Sequence, residues 1–332
     1  KRDFGKAMSL AGDAEKLALE TTGEESVPYL KAAYVIARIY YSMRDYPEAE
    51  RRAMKVKEGQ GKVLGVEHRD YATTLFLLGN IYFYRSNFAD ACAAVKESLD
   101  IRAKIFGKSD QKYAGTLSYL GYLEMKRGNY DMAESIYNEY TAFVAQKYGK
   151  NDSEYGLCLV DFALLYFRKS EYEKSEPIFL ESLSILEKTI GKENWQYALT
   201  LNYLGALYDK MGYSEKIEPI YLQTLAIQKN LPGRENQYAI TLDNLGKFYL
   251  DLGDFGKSES IFLKAQAMYE KTIGKENPNY QIHLNGMASL YSNMGRFEES
   301  DSLLIEALSI VKKAVGKKHL DYAMVLDNFP KT

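Results

Sequence analysis

Histidine and cysteine are the residues whose chemistry could support acid–base, nucleophilic or metal-dependent catalysis in this chain, and the sequence keeps them apart. There are three histidines, His68, His283 and His319, and two cysteines, Cys92 and Cys158. None of them has the short spacing of a zinc site, and the sequence contains no glycine-rich phosphate loop and no serine elbow. We therefore expect no enzyme activity, no cofactor and no metal in these residues.

The surroundings of these residues favour structural roles. His68 and His319 lie in predicted linkers, where a surface position is expected, and His283 stands beside the apolar Leu284 on a predicted helix. A structural role for His283 is favoured over a catalytic one. The two cysteines fall in different predicted helices, which favours buried reduced thiols over a disulfide and is compatible with a cytoplasmic location.

Bulk composition excludes some classes of partner. The 332 residues carry a net charge of −2, with 46% apolar and 27% charged residues. Near neutrality argues against non-specific attraction to nucleic acid or anionic lipid. No apolar run approaches the roughly 20 residues that cross a bilayer as a helix. We expect a protein or peptide partner, with no nucleic acid and no membrane.

The strongest signal in the sequence is an internal repeat. One tyrosine recurs at intervals of 42 residues, with a single interval of 41, at Tyr29, Tyr71, Tyr113, Tyr155, Tyr197, Tyr238, Tyr280 and Tyr322. One glycine keeps the same phase, at Gly23, Gly65, Gly107, Gly149, Gly191, Gly233, Gly274 and Gly316. The short interval lies between Gly233 and Tyr238, so one residue is missing from that linker.

Each repeat contains two helical patterns. The first starts at the tyrosine, and Tyr197, Leu201, Leu204 and Tyr208 show its helical spacing. The second carries small residues where two helices must approach closely, and it ends at the phased glycine. Glycine suits the left-handed position that follows a helix. Since one hairpin cannot bury its apolar face alone, neighbouring hairpins must stack.

These patterns predict an all-α fold, a right-handed α-solenoid superhelix of about seven helical hairpins with a half repeat at each end. We interpret residues 1–332 as a single solenoid. Its predicted parts are a half-repeat helix at 1–24, repeats at 25–66, 67–108, 109–150, 151–192, 193–234, 235–275 and 276–317, and a half-repeat helix at 318–332.

The repeat resembles the tetratricopeptide repeat in its 42-residue form, as in kinesin light chains. The matching strings are Thr200–Tyr208 (TLNYLGALY), Glu218–Tyr221 (EPIY), Leu225–Ile227 (LAI) and Thr241–Gly246 (TLDNLG). The resemblance is specific for the fold and much less specific for function. It implies protein–protein interaction, with a peptide or partner segment held in a concave groove of first helices.

Mapping that groove onto this chain gives candidate binding residues that change in character along the sequence. The N-terminal repeats offer mainly aromatic residues: Tyr34, Arg38, Tyr41, Phe76, Asn80, Phe83, Tyr84, Tyr119, Tyr122 and Phe167. The C-terminal repeats offer mainly amides and charges: Asn202, Tyr203, Asp243, Asn244, Lys247, Asn285, Asn293 and Asn328.

The two halves imply different roles. Aromatic rings contribute large contact areas to interfaces, and side-chain amides can pair with the backbone of an extended peptide. The resemblance to kinesin light chains implies that second role for Asn202, Asn244, Asn285 and Asn328. The alternatives remain open that the rings mainly pack against one another and that the amides only form a solvated face.

Three functions are compatible with this sequence. The first is a non-catalytic scaffold that binds a peptide or partner protein. The second is a regulatory arm of a larger enzyme, such as a CHAT-type protease or a signalling ATPase, because the chain starts and ends halfway through a repeat. The third is self-association through the open ends of the array.

Overall fold

Helical hairpins account for the whole described chain. In a computed structural model, residues 4–275, 277, 280–315 and 320–329 are described, and they form α-helices and no β-strand. His319, Gly316 and part of the predicted last linker lie outside the described residues. The chain divides into two compact units, Lys1–Lys147 and Tyr148–Thr332.

Unit 1 consists of one single helix followed by three hairpins. Its helices are α1 (Phe4–Thr22), α2 (Val27–Met43), α3 (Tyr46–Val63), α4 (Arg69–Tyr84), α5 (Phe88–Phe106), α6 (Gln111–Arg127) and α7 (Tyr130–Tyr148). From α1 to α6 each helix packs on the next, and the first helices α2 and α4 of neighbouring hairpins also touch. The Tyr113 hydroxyl of α6 donates to Glu139 of α7 at 2.7 Å. Unit 1 is thus an all-α stack of the solenoid kind.

Unit 2 consists of four hairpins and a final short helix. Its helices are α8 (Ser153–Arg168), α9 (Tyr172–Thr189), α10 (Trp195–Met211), α11 (Ser214–Gln228), α12 (Glu235–Asp251), α13 (Phe255–Thr272), α14 (Tyr280–Asn293), α15 (Phe297–Val315) and α16 (Leu320–Asp327). The first helices α8, α10, α12 and α14 contact one another in chain order. One continuous apolar core runs through this unit, from Val160 to Val325.

Polar residues before the first helices set where those helices begin. Asp110, Asp152 and Asn194 each accept a hydrogen bond from a backbone N–H two residues later. His68 does the same, because its Nδ1 accepts from the N–H of Asp70 at 3.1 Å. The expected linker position of His68 therefore has a specific use, which is to cap the N-terminus of α4.

Small residues let the two helices of a hairpin approach closely. Ala49, Ala91 and Ala133 are fully buried at this position in unit 1. In unit 2 the equivalent Ser258 donates from its hydroxyl to the carbonyl of Gly246 at 2.8 Å, and Ser175 and Ser300 make the same bond. The serine thus supplies a hydrogen bond where alanine supplies only close contact.

The phased glycines adopt a backbone with positive φ, as expected for glycine after a helix. All seven that the structure describes have positive φ, between +75° and +87°. Gly107 differs from the expected left-handed cap, because its ψ of 163° lies in an extended region that is essentially restricted to glycine. The turn inside each hairpin also needs positive φ, and there Arg44, Ser86 and Ser170 adopt it without being glycine.

Candidate partner-binding surfaces

Seven aromatic rings in unit 1 form a continuous series of contacts, which we call the aromatic ladder. It runs Phe76–Tyr119–Tyr122–Phe83–Tyr84, with Tyr84 also contacting Tyr41 and Tyr46, and its neighbouring ring centroids are 5.2–6.2 Å apart. Six of the seven are predicted groove residues. Tyr46 was missed because it begins a second helix, and its ring stacks parallel on Tyr84.

Most of the aromatic ladder is already engaged within unit 1. Its rings are half-buried except for Tyr84, which is 49% exposed. Burial and the neighbouring hydroxyl of Tyr84 raise the pKa of Tyr41, and burial raises the pKa of Tyr119. The predicted Asn80 donates to the carbonyl of Phe76 on its own helix at 2.7 Å. Tyr84 is therefore the one largely exposed ring of the aromatic ladder, and the other six rings are half-buried against their neighbours.

Two arginines contact the same face of unit 1. Arg38, a predicted groove residue, lies 5.8 Å from the ring centroid of Tyr34. Arg102 comes from the second helix α5 and lies 5.0 Å from the ring of Phe76. Burial lowers the pKa of Arg102. Spacing on the first helices alone could not place Arg102 at this face.

Unit 2 contains a cavity of about 560 Å³ between α12, α13 and α14, which we call the polar cavity. It brings together five of the predicted groove residues: Asp243, Asn244, Lys247, Asn285 and Asn293. The other lining residues are Leu250, Asp251, Phe262, Ile282, Gly286 and Ser289. Its volume lies within the range typical of ligand sites.

Gly286 lets the backbone of α14 approach a ring of α13 at the edge of the cavity. It occupies the repeat position where α10 carries Tyr203 and α12 carries Asn244. A Cβ atom on Gly286 would lie 3.0 Å from Cε1 of Phe262. The backbone of Gly286 therefore lies close against a buried ring, and both residues line the cavity.

Asp243 connects the polar cavity to a buried hydrogen-bond cluster. Its two carboxylate oxygens contact Nδ1 of His283 at 2.7 Å and the hydroxyl of Tyr269 at 2.8 Å. His283 is fully buried, and burial together with the Asp243 carboxylate raises the pKa of Tyr269. The expectation that His283 is structural agrees with this position. Asp243 has intramolecular partners that the sequence did not indicate.

The amides of unit 2 are only partly engaged. Asn244 donates to Oδ1 of Asn202 at 3.2 Å, Asn285 donates to Gln281 at 2.9 Å, and Asn293 donates to the carbonyl of Ser289 at 2.8 Å. Within the described residues, the buried Oδ1 of Asn285 has no hydrogen-bond partner. Each amide can make more bonds than it makes here.

The remaining candidates of unit 2 lie away from the polar cavity. Phe167 contacts Tyr172 at 5.8 Å between ring centroids, and Tyr203 contacts Phe179 at 6.3 Å. Asn328 is exposed, just beyond the end of α16. Asp161, which was not predicted, occupies the repeat position of Tyr203, and burial raises the pKa of its carboxyl to about 6.

Both cysteines are buried, and they form no disulfide with each other. Burial, followed by the Glu124 carboxylate, raises the pKa of Cys92 to about 12. In the part of the chain that the structure describes, no three His, Cys, Asp or Glu side chains come together as a metal site would require. None of the described helices is both long and apolar enough to cross a membrane.

Sequence comparisons identify the repeat. One profile of the tetratricopeptide repeat matches residues 29–104, 112–188, 157–230 and 196–271. A second profile, also described as a tetratricopeptide repeat, matches residues 283–321. These ranges cover well over half of the chain. No curated protein matches the chain.

Several solved structures share the fold. A putative kinesin light chain from Podosopora anserina is 18% identical over 60% of this chain and 94% of its own, with a TM-score of 0.54. BtubC (BKLC) from P. vanneervenii is 19% identical over 82% of this chain and 94% of its own, with a TM-score of 0.53. A Rap protein complexed with competence and sporulation factor is 14% identical over 93% and 81%, with a TM-score of 0.58. At these identities the likeness concerns the fold alone.

Proposed function

The chain belongs to the tetratricopeptide repeat family, and from this premise we propose that it is a protein-interaction scaffold which binds an extended segment of a partner in the polar cavity of unit 2. The observation that carries the proposal is the cavity itself, about 560 Å³ in volume and lined by three amides. Proteins of this family typically act through such binding rather than through catalysis.

The chemistry of the cavity lining supports an extended segment as the ligand. Every residue of an extended chain presents a backbone N–H and C=O that must find partners when they leave water. Asn244, Asn285 and Asn293 retain donor or acceptor capacity, and each amide offers both functions. Contacts to the backbone would provide affinity, while the cavity would accommodate a side chain.

The aromatic ladder of unit 1 is a weaker candidate for the same role. Its rings already contact one another, so a ligand would gain little additional burial from most of them. Only Tyr84 presents a large exposed surface. We therefore assign the main binding role to the polar cavity.

Replacing Asn293 with alanine is expected to weaken peptide binding about five- to tenfold, the effect of one lost hydrogen bond. The probe is a pool of random hexapeptides, from which the peptides that bind to the full chain are recovered and sequenced. The affinity of each recovered peptide is then measured by calorimetry. The matched control is Asn230→Ala. Asn230 is also exposed and donates to the carbonyl four residues earlier, but it does not line the cavity.

Two outcomes would count against the proposal. The first is that the full chain recovers no peptide at any concentration at which the protein stays monodisperse. The second is an equal effect of Asn293→Ala and Asn230→Ala on the affinity of a recovered peptide. The second result would move the binding site away from the polar cavity while leaving a scaffold role intact.

A further inference from the structure

One carboxylate in the polar cavity is exposed and makes no close ion pair with a described residue. Asp251 is the last residue of α12, and its side chain forms no salt bridge or hydrogen bond with another described residue. Lys247 lines the same cavity, but its ammonium group lies 3.8 Å from the carboxylate of Asp209. Asp243, the other acidic residue in the lining, is bonded to His283 and Tyr269.

Asp251 is exposed, and the charged groups around it act on its carboxylate in both directions. Desolvation raises the pKa of its carboxyl and Asp209 adds to this shift, whereas Lys247 and Lys210 oppose it. The position at the C-terminus of α12 acts in the same direction as Asp209, because the helix dipole is negative there. An added positive charge at this place would offset the electrostatic effects of Asp209 and of the helix end.

The same cavity also has an apolar part. Ile282 projects from α14 and is 61% exposed. Leu250 is half-buried next to Asp251, and the ring of Phe262 also lines the cavity beside Gly286. A ligand side chain that enters the cavity therefore meets aliphatic surface as well as a carboxylate.

We propose that the polar cavity selects an arginine or lysine side chain of the bound segment, with its aliphatic stem on Ile282 and Leu250 and its charged group at Asp251. This inference rests on the proposed function, and it assigns a chemical class to the segment that the cavity holds. Long basic side chains combine an apolar stem with a charged end. Hydrogen bonds between a cation and a carboxylate are among the stronger ones available.

Other side chains fit the lining less well. An acidic side chain would face Asp251 and Asp243, while the one cation of the lining, Lys247, already lies beside Asp209. A wholly apolar side chain would remove water from Asp251 without giving it a partner, which is costly for a charged group. Charge complementarity therefore favours the basic side chain.

Arrays of peptide pools test this selectivity directly. Each pool consists of hexapeptides with one position fixed to a single amino acid, cysteine excepted, and the other positions randomised. The full chain, fluorescently labelled, is expected to bind the pools with fixed arginine or lysine most strongly. Asp251→Asn should reduce that preference about tenfold, and Asp251→Lys should shift it towards aspartate and glutamate.

A matched variant separates local recognition from overall charge. Asp100 is an exposed aspartate of unit 1, and Asp100→Asn changes the net charge by the same amount. It should leave the preference unchanged. Circular dichroism and amide exchange of each variant verify that the helices remain folded, so that a lost preference is not mistaken for unfolding.

The possible failures are distinguishable. Binding without any preference for basic pools, or equal effects of Asp251→Asn and Asp100→Asn, would overturn this inference and leave the proposed function standing. A persistent basic preference in Asp251→Lys would also overturn it. Absence of binding to every pool would reject both the inference and the proposed function.

Discussion

Asp243→Ala is expected to lower the free energy of local opening of α12–α14 by about 3 kcal/mol. The substitution removes the acceptor for two buried groups, the Nδ1–H of His283 and the hydroxyl of Tyr269, and it leaves both without a partner. Hydrogen–deuterium exchange of peptides from α12–α14 should become roughly a hundredfold faster. Peptides from α4 and α5 in unit 1 should exchange as before and serve as an internal reference.

The equivalent residue of the preceding repeat provides the control. Asn202 stands at the same repeat position as Asp243, but it accepts a single hydrogen bond, from Asn244. Asn202→Ala should therefore cost only about 1 kcal/mol. Equal effects of the two substitutions on exchange would show that Asp243 does not hold the buried cluster.

Gly79→Ala is expected to destabilise unit 1 by about 2 kcal/mol, although alanine is the better helix former. A Cβ atom at this position would lie 2.4 Å from Cγ2 of Val95, a β-branched and fully buried residue of α5. Overpacking of this kind typically costs about 1–3 kcal/mol, and here it outweighs the helix-propensity gain of about 1 kcal/mol. Thermal unfolding followed by circular dichroism measures the difference.

Gly115 provides a control of opposite sign in the same unit. It also lies within a helix, α6, but a Cβ atom there would meet nothing within 4 Å. Gly115→Ala should raise stability by up to about 1 kcal/mol, because alanine favours the helix. Adding Val95→Ala to Gly79→Ala should recover part of the loss through removal of the clash. A stabilising effect of Gly79→Ala would contradict the packing described for α4 and α5.

The fold was predictable from the sequence because its determinants are local and repeated. The tyrosine and glycine series set the period, and apolar spacing within one period defines two helices. The positive φ at Gly23, Gly65 and their equivalents follows from the same series. Turn positions such as Arg44 and Ser86 could not be identified in this way, since neither residue type indicates positive φ.

The binding surfaces were predictable only in part. First-helix spacing proposed Asn244, Lys247 and Asn293 as groove residues, and in the structure these three residues line one cavity. The cavity lining also includes Gly286, which has no side chain, and a ring from the second helix α13, Phe262. A pattern of first-helix side chains contains no information about that ring, so it could not indicate the hollow.

The cluster around Asp243 shows a second limit of sequence interpretation. Asp243 and His283 are 40 residues apart and lie on neighbouring first helices, while Tyr269 comes from the intervening second helix. Nothing in the spacing of a single helix distinguishes a groove-facing aspartate from one that turns towards a buried histidine. Asp243 was therefore a binding candidate from the sequence, whereas in the structure its carboxylate is hydrogen-bonded to His283 and Tyr269.

Site-specific photo-crosslinking tests the central claim, binding of an extended segment in the polar cavity, most directly. A benzophenone amino acid at Ser289 lies in the cavity lining, and one at Lys264 lies on an exposed part of α13 outside that lining. With a recovered hexapeptide, crosslinks are predicted from Ser289 and not from Lys264, and excess unlabelled peptide should suppress them. Crosslinks from Lys264 alone, or from neither position while the peptide remains bound, would contradict the account.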